Sequence, residues 1–150
     1  MNNPITTTNN ADINNGNTKH LLIITHAPSD NTQKLTQALF SSAQSYIKQT
    51  PDSETSSEYS LHVTQRHALE ATSTDVLGAD AIILMTPENL GYLSGGMKDF
   101  FDRIYYPCLE LKQGLPTAAI IRAGQDGTGA KRALETITTG LKWRWVQAPI

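Results

Sequence analysis

Residues 26–32, His-Ala-Pro-Ser-Asp-Asn-Thr, have the side-chain types that bind a phosphate group. They follow an apolar run and precede an amphipathic stretch, so Ser29, Asn31 and Thr32 stand at the start of a predicted helix. A helix N-terminus presents backbone N–H groups, and hydroxyl and amide groups add donors, which together favour a bound anion. Because the segment has no glycine, it matches neither the dinucleotide-binding fingerprint nor the P-loop. The alternative interpretation is an ordinary helix-capping turn that binds nothing.

A second segment, residues 86–96, combines three glycines with polar and aromatic side chains. The glycines allow the backbone to approach a flat ligand closely, while Asn89 offers a polar edge and Tyr92 an aromatic face. Pro87 could instead only shape a turn, and the glycines could only tighten helix packing. The segment therefore indicates a site for a planar ligand, with a structural alternative.

The other reactive side chains form no recognisable catalytic or metal-binding set. His20 and His62 fall in or beside predicted strands, where a structural role is expected, and His67 is predicted to be solvated. His26 opens the first segment and could contact a ligand there. The single cysteine, Cys108, excludes an intramolecular disulfide and a cysteine-based zinc cluster, and we interpret it as structural.

Apolar runs that alternate with amphipathic stretches must position these segments. We predict strands over residues 20–25, 60–65, 79–86 and 116–123, with a fifth beginning at Trp143. We predict helices over residues 32–49, 68–77, from an N-cap at Ser94 to the breaker Pro107, and over 130–141 with Gly140 near the end. Right-handed crossovers then give a parallel sheet covered by helices. The predicted fold is an α/β three-layer sandwich of five parallel strands, with strand 60–65 at an edge and Trp143 and Trp145 in the core or in a subunit interface.

The length of 150 residues fits one domain. Residues 1–18 are rich in Asn and Thr and lack hydrophobic periodicity, so we predict a disordered tail followed by a domain over residues 19–150. The polar segment 50–59 is expected to be a mobile loop. The sequence stops about where the fifth strand should finish, so a closing helix is expected to be missing, through truncation or a minimal fold.

Charge and hydropathy restrict the partners. A net charge of −2 with scattered Lys and Arg gives no basic surface for nucleic acid. No apolar run approaches the roughly 18 residues of a membrane span, and the N-terminus resembles neither a secretory signal nor a transit peptide. We therefore expect a soluble protein of the cytoplasm.

A family resemblance is carried by residues 79–103, ADAIILMTPENLGYLSGGMKDFFDR. This stretch resembles the second flavin loop of the flavodoxin-like NAD(P)H-dependent FMN reductase and quinone reductase families, in which an apolar strand precedes Pro-x-x-x-Gly, Ser/Pro-Gly and a helix with Lys and Asp-Arg. The matching positions are Pro87, Gly91, Ser94, Gly95, Lys98, Asp102 and Arg103. The similarity spans about residues 20–147.

The resemblance implies a flavodoxin-like fold with strand order 2-1-3-4-5, FMN as cofactor and NAD(P)H as electron donor. It implies that the first segment holds the FMN phosphate, that residues 87–92 line the flavin ring and that residues 124–127 close its other side. The implied cofactor-binding residues are His26, Ser29, Asn31, Thr32, Pro87, Glu88, Asn89, Leu90, Gly91, Tyr92, Gly124, Gln125, Asp126 and Gly127. No catalytic side chain is implied, because the flavin carries the chemistry.

Two acidic residues depart from the related pattern. Asp30 stands where short-chain flavodoxins have a glycine in the phosphate loop, and Glu88 adds a negative charge near a cofactor that becomes anionic when reduced. Either residue could weaken FMN binding.

Three functions fit these observations. The first is an FMN-dependent oxidoreductase that passes electrons from NAD(P)H to a quinone or another small acceptor. The second is a flavodoxin-like electron carrier, which the weak net charge does not favour. The third is a flavodoxin-fold interaction module without flavin. A homodimer or homotetramer could form through Tyr105, Tyr106 and Leu109.

Overall fold

The computed structural model describes residues 18–49 and 60–150. The predicted tail lies outside these residues, except for Thr18, which begins the first strand, and the predicted mobile loop 50–59 also lies outside them. In chain order the elements are β1 (Thr18–Thr25), α1 (Asp30–Gln49), β2 (Ser60–His67), α2 (Ser73–Gly78), β3 (Ala81–Asn89), β4 (Tyr92–Leu93), α3 (Gly95–Cys108), β5 (Pro116–Arg122), α4 (Thr128–Gly140) and β6 (Arg144–Trp145).

The five main strands form a parallel sheet in the order β2-β1-β3-β5-β6, and the short β4 pairs antiparallel with the end of β3. With β4 set aside, this is the predicted order 2-1-3-4-5. The α/β flavodoxin-like fold and the edge position of strand β2 are confirmed. The order is the one that the family resemblance implied, and the apolar runs of β1, β3 and β5 are typical of interior strands of a parallel sheet.

The main core lies between one face of the sheet and helices α2, α3 and α4. Strand residues of that face, such as Leu22 and Leu84, pack against Phe100, Phe101 and Ile104 of α3, and all of these are buried. Trp143 and Trp145 join the same core, as predicted. Helix α1 covers the opposite face. None of the helices in residues 18–49 and 60–150 is long and apolar enough to span a membrane.

Several predicted helix boundaries were wrong. Helices α1 and α4 each begin two residues earlier than predicted, at Asp30 and Thr128. Helix α2 begins at Ser73 rather than at residue 68, because Thr72 and Asp75 form a capping box that fixes its first turn. Helix α3 includes Pro107 and ends at Cys108. Proline is tolerated at this penultimate position because its φ suits a helix and only one late hydrogen bond is lost.

Candidate functional site

Neighbouring strands bring three chain segments to one edge of the sheet. Strands β1, β3 and β5 lie side by side and parallel, so their carboxyl ends point the same way. Residues 26–29, the β3–β4 hairpin and residues 123–127 follow these ends. In open parallel α/β sheets this edge is where ligands bind.

The start of α1 has the geometry of an anion site. The hydroxyl of Thr32 donates to the carbonyl oxygen of Ser29 at 2.8 Å, and the N–H of Ser29 donates back to the Thr32 hydroxyl at 3.0 Å. This reciprocal cap also orders the next turn, where the N–H of Gln33 donates to Ser29. The N–H groups of Asp30 and Asn31 make no hydrogen bond within the described part of the chain. Two backbone donors at a helix N-terminus are therefore free to bind an anion.

The residues of this segment that are predicted to bind phosphate differ in their exposure to solvent. Ser29 and Asn31 are exposed and Thr32 is buried, and the hydroxyls of both Ser29 and Thr32 take part in the cap. Asp30 is exposed and is the first residue of the helix, where its carboxylate interacts favourably with the helix dipole. A bound phosphate would meet that negative charge.

The second segment is a β-hairpin, where the sequence predicted an irregular loop. Strand β3 continues to Asn89 and pairs with β4, leaving Leu90 and Gly91 as a two-residue turn with φ of 52° and 72°. Positive φ at both positions is the property of a type I′ turn. Leucine rarely adopts it, so the sequence carried no hairpin signal. The turn leaves Leu90 and Tyr92 exposed.

A buried hydroxyl pair closes the base of the hairpin. Thr86 and Ser94, both fully buried, lie 2.8 Å apart through their hydroxyl oxygens. Ser94 occupies the N-cap position of α3 as predicted, but its side chain makes no capping hydrogen bond. The N-cap position was therefore predicted correctly, but the Ser94 hydroxyl contacts Thr86 and does not cap the helix.

The hairpin rests on the N-terminus of α4. The carboxylate of Glu88 accepts a hydrogen bond of 2.9 Å from the N–H of Ala130, so it caps a helix whose own N-cap residue is glycine. A Cβ on Gly129 would overlap the carbonyl oxygen of Gly91, so only glycine permits this approach. Glu88 therefore has a partner for its charge within the protein, which reduces the conflict with an anionic cofactor.

The third segment turns tightly into α4. Gly127 is buried, adopts a φ of 70° and precedes the first helical residue. The N–H of Thr128 donates to Asp126 at 3.0 Å, and this backbone hydrogen bond lowers the pKa of the Asp126 carboxyl. Gly124 and Gln125 are exposed. The segment is ordered by its own turn and keeps exposed groups beside the hairpin.

His26 lies at the carboxyl end of the sheet, directly after β1. The backbone N–H of His26 donates to the backbone carbonyl of Met85 at 3.0 Å. The imidazole ring packs against Gly96, where an added Cβ would clash with it. The ring meets His67 edge-on at 5.6 Å, and its Nδ1 is buried without a hydrogen-bond partner in the described residues. The prediction that His67 is solvated was wrong: it is half-buried against His26.

Burial, followed by repulsion from His67, lowers the pKa of His26 below its ordinary value of 6.5. The unfolded chain then binds the proton more tightly than the folded protein, so stability falls as the pH drops from about 6.5 toward the lowered pKa. We expect His26→Gln to flatten this loss in flavin-free protein, measured as urea midpoints between about pH 7.5 and about pH 5. His62→Gln, on an exposed strand, is the control. Equal pH dependence in wild type and His26→Gln would contradict the burial of this imidazole.

The structure thus brings most of the predicted site residues to one edge and adds others. Gly129, Thr86 and His67 were missed, because their roles depend on contacts between distant elements. No group of three or more His, Cys, Asp or Glu side chains suited to a metal occurs in residues 18–49 and 60–150.

Solved structures show the same fold. An oxidoreductase from Corynebacterium diphtheriae superposes with a TM-score of 0.68 at 15% identity, over 89% of this chain and 80% of that one. Megasphaera elsdenii flavodoxin gives a TM-score of 0.63 at 13% identity, over 83% and 80% of the two chains. A flavodoxin, WrbA-like protein from Agrobacterium tumefaciens gives 0.62 at 16% identity, over 85% and 76%.

Sequence comparison identifies the family. The family described as NADPH-dependent FMN reductase matches residues 14–149, which is nearly the whole chain. No curated protein gives a significant match. The family indicates FMN as the cofactor, with NAD(P)H as the electron donor. The chain therefore belongs to the NADPH-dependent FMN reductase family.

Proposed function

We propose that this protein is an NAD(P)H-dependent oxidoreductase that passes electrons through FMN to a quinone or another small acceptor. The observation that carries the proposal is the meeting of the α1 N-terminus, the β3–β4 hairpin and the 123–127 turn at one sheet edge. Bound FMN would supply hydride acceptance and one- or two-electron transfer. The protein would bind the cofactor, orient it and limit access to it.

The proposed roles follow the geometry. The free N–H groups of Asp30 and Asn31, with the exposed Ser29 hydroxyl, would hold the phosphate. Residues 87–92 of the hairpin would line one side of the ring, and residues 124–127 would line the other. The Thr86–Ser94 pair and the Glu88 cap would keep the hairpin in position.

The exposed side chains of the hairpin favour a small apolar acceptor. Leu90 is fully exposed and Tyr92 is 46% exposed, so both can contact a flat ring that approaches the edge. An electron carrier would instead present a strongly acidic docking face, and the net charge is only −2. Cytoplasmic location is proposed with this function. An assembly through Tyr105, Tyr106 and Leu109 also stays a prediction. Tyr106 is 81% exposed and is accessible to a second subunit.

The test is an absorbance spectrum of purified protein after addition of FMN and removal of the excess. Retained flavin, bleached anaerobically by NADPH or NADH and reoxidised by a quinone, is the expected result. Retained flavin that neither nucleotide reduces would favour the electron carrier. A folded protein that retains no flavin would overturn the proposal and favour the interaction module.

Replacing Asp30 by asparagine is expected to raise FMN affinity by about fivefold, because removing a like charge near the phosphate is worth about 1 kcal/mol. The dissociation constant is measured by quenching of flavin fluorescence. The gain should shrink in high salt and be absent for riboflavin, which lacks the phosphate. Glu110→Gln, two residues after the end of α3, is the charge-matched control. An equal gain for riboflavin would place the phosphate away from α1.

A further inference from the structure

A pocket lies on the face of the sheet that α1 covers, between α1 and the last residues of β1 and β2. Its volume is about 420 Å³, within the roughly 300–1,000 Å³ of small-molecule sites. The lining side chains that matter here are Thr25, Gln33, Thr36, Phe40, Gln65 and His67. The pocket shares only Ala27 with residues 26–32, so it is distinct from the proposed phosphate site.

The hydroxyl groups of two threonines in this pocket have unused hydrogen-bonding capacity. Thr25 is 2% exposed, and its hydroxyl makes no hydrogen bond within residues 18–49 and 60–150. Thr36 is 6% exposed and donates only to the weakly accepting sulfur of Met85, at 3.4 Å. The Thr25 hydroxyl can therefore donate to, or accept from, a ligand edge that enters the pocket.

The chemistry of the lining selects the ligand class. Among the described residues that line the pocket there is no Asp, Glu, Lys or Arg, whereas the amides of Gln33, Gln37 and Gln65 each offer both donors and an acceptor. Phe40 contributes an aromatic ring. The Nδ1 atom of His67 accepts from the N–H of Leu69 at 3.3 Å, so in the neutral ring Nε2 carries the proton and is a donor. Paired donors and acceptors beside an aromatic ring suit a flat, uncharged ligand with a hydrogen-bonding edge.

We propose that this pocket binds a neutral planar nitrogen heterocycle of the nucleobase class. Its edge pairs with the glutamine amides and with the Thr25 hydroxyl, and its face lies against Phe40. The pocket is connected to the flavin edge, since Gln33 Nε2 donates to the carbonyl of Ala27 at 3.4 Å and His67 contacts His26. The binding itself does not depend on the proposed oxidoreductase activity.

The test is a titration of isotope-labelled full-length protein with adenosine and with uridine, followed by NMR. Saturable shifts of the pocket residues are expected for at least one nucleoside, with none for ribose. Thr25→Val keeps the shape and removes only the unpaired hydroxyl, and Gln65→Leu removes one amide; each should weaken binding at least fivefold. Gln113→Leu, an exposed glutamine outside the pocket, is the matched control and should bind as wild type. Melting temperatures establish that the variants are folded.

A repeat with FMN-loaded protein separates this proposal from the proposed function. Undiminished nucleoside binding in the presence of FMN supports a separate pocket. Competition by FMN, with shifts confined to the hairpin and residues 124–127, would assign the nucleoside to the flavin edge and overturn the pocket proposal. Equal affinity in wild type and both variants, or no saturation up to about 10 mM, would also overturn it. None of these outcomes requires the protein to reduce FMN.

Discussion

Replacing Gly129 by alanine is expected to weaken FMN binding by at least about tenfold and to destabilise the fold by about 1–3 kcal/mol. The added Cβ would overlap the carbonyl oxygen of Gly91, so the hairpin must move away from α4. Because neither partner is a flexible side chain, the shift must involve the backbone. It would also lengthen the hydrogen bond between Ala130 and Glu88, which caps α4. Flavin fluorescence titration and urea denaturation measure the two effects.

The matched control is Gly78→Ala at the end of α2, where an added Cβ has open space and φ is not positive. It should leave FMN affinity unchanged and alter stability only slightly. A Gly129→Ala protein with lower stability but wild-type FMN affinity would show that the hairpin does not line the flavin. Unchanged stability would contradict the contact between Gly91 and Gly129.

The sheet could be predicted because its information is local. The apolar runs that became β1, β3 and β5 are interior strands of the sheet, and turn residues separate them from the helices. Family resemblance then supplied the strand order, which periodicity alone does not determine. The edge strand β2 was recognised from its weaker alternation.

The site was predicted only as far as loop composition allows. The sequence located the phosphate segment and the glycines of the second loop, but it could not show that Leu90 adopts a positive φ in a hairpin turn. That conformation is imposed by the pairing of β3 with β4. The need for glycine at position 129 likewise arises from a residue 38 positions away in the chain, Gly91.

The residues of α3 that carried the family resemblance make contacts within the fold. Lys98, Asp102 and Arg103 supported the resemblance, and the structure assigns them contacts within the fold. Lys98 pairs with Asp102 one turn later, at 2.5 Å, and this hydrogen bond raises the pKa of Lys98. Arg103 pairs with Asp99 at 2.8 Å and also reaches the chain after β2. The motif therefore identifies a structural connection that supports the site.

Arg103 fixes the turn that joins β2 to α2. Its two terminal guanidinium nitrogens donate to the carbonyls of Ala71 and Ala68 at 2.5 and 2.6 Å, and both alanines are fully buried. The same turn is attached to β1 through the N–H of Ala68, which donates to Thr25. Arg103 thus links α3 to the turn, and the backbone of the turn is bonded to β1.

We expect Arg103→Ala to destabilise the protein by about 2–4 kcal/mol, because two charge-assisted hydrogen bonds are lost and two buried carbonyls lose a partner. Arg103→Lys should lose most of the same stability, since an ammonium group cannot donate to two separate carbonyls with the geometry of a guanidinium. Urea unfolding curves give the loss as a shift in midpoint.

The control is Arg132→Ala on α4, an exposed arginine whose side chain makes no hydrogen bond among the described residues. It should change stability by less than about 0.5 kcal/mol. If Arg103→Lys were as stable as wild type, charge alone would be enough at this position, and the bonding of the guanidinium to two carbonyls would not be what fixes the turn.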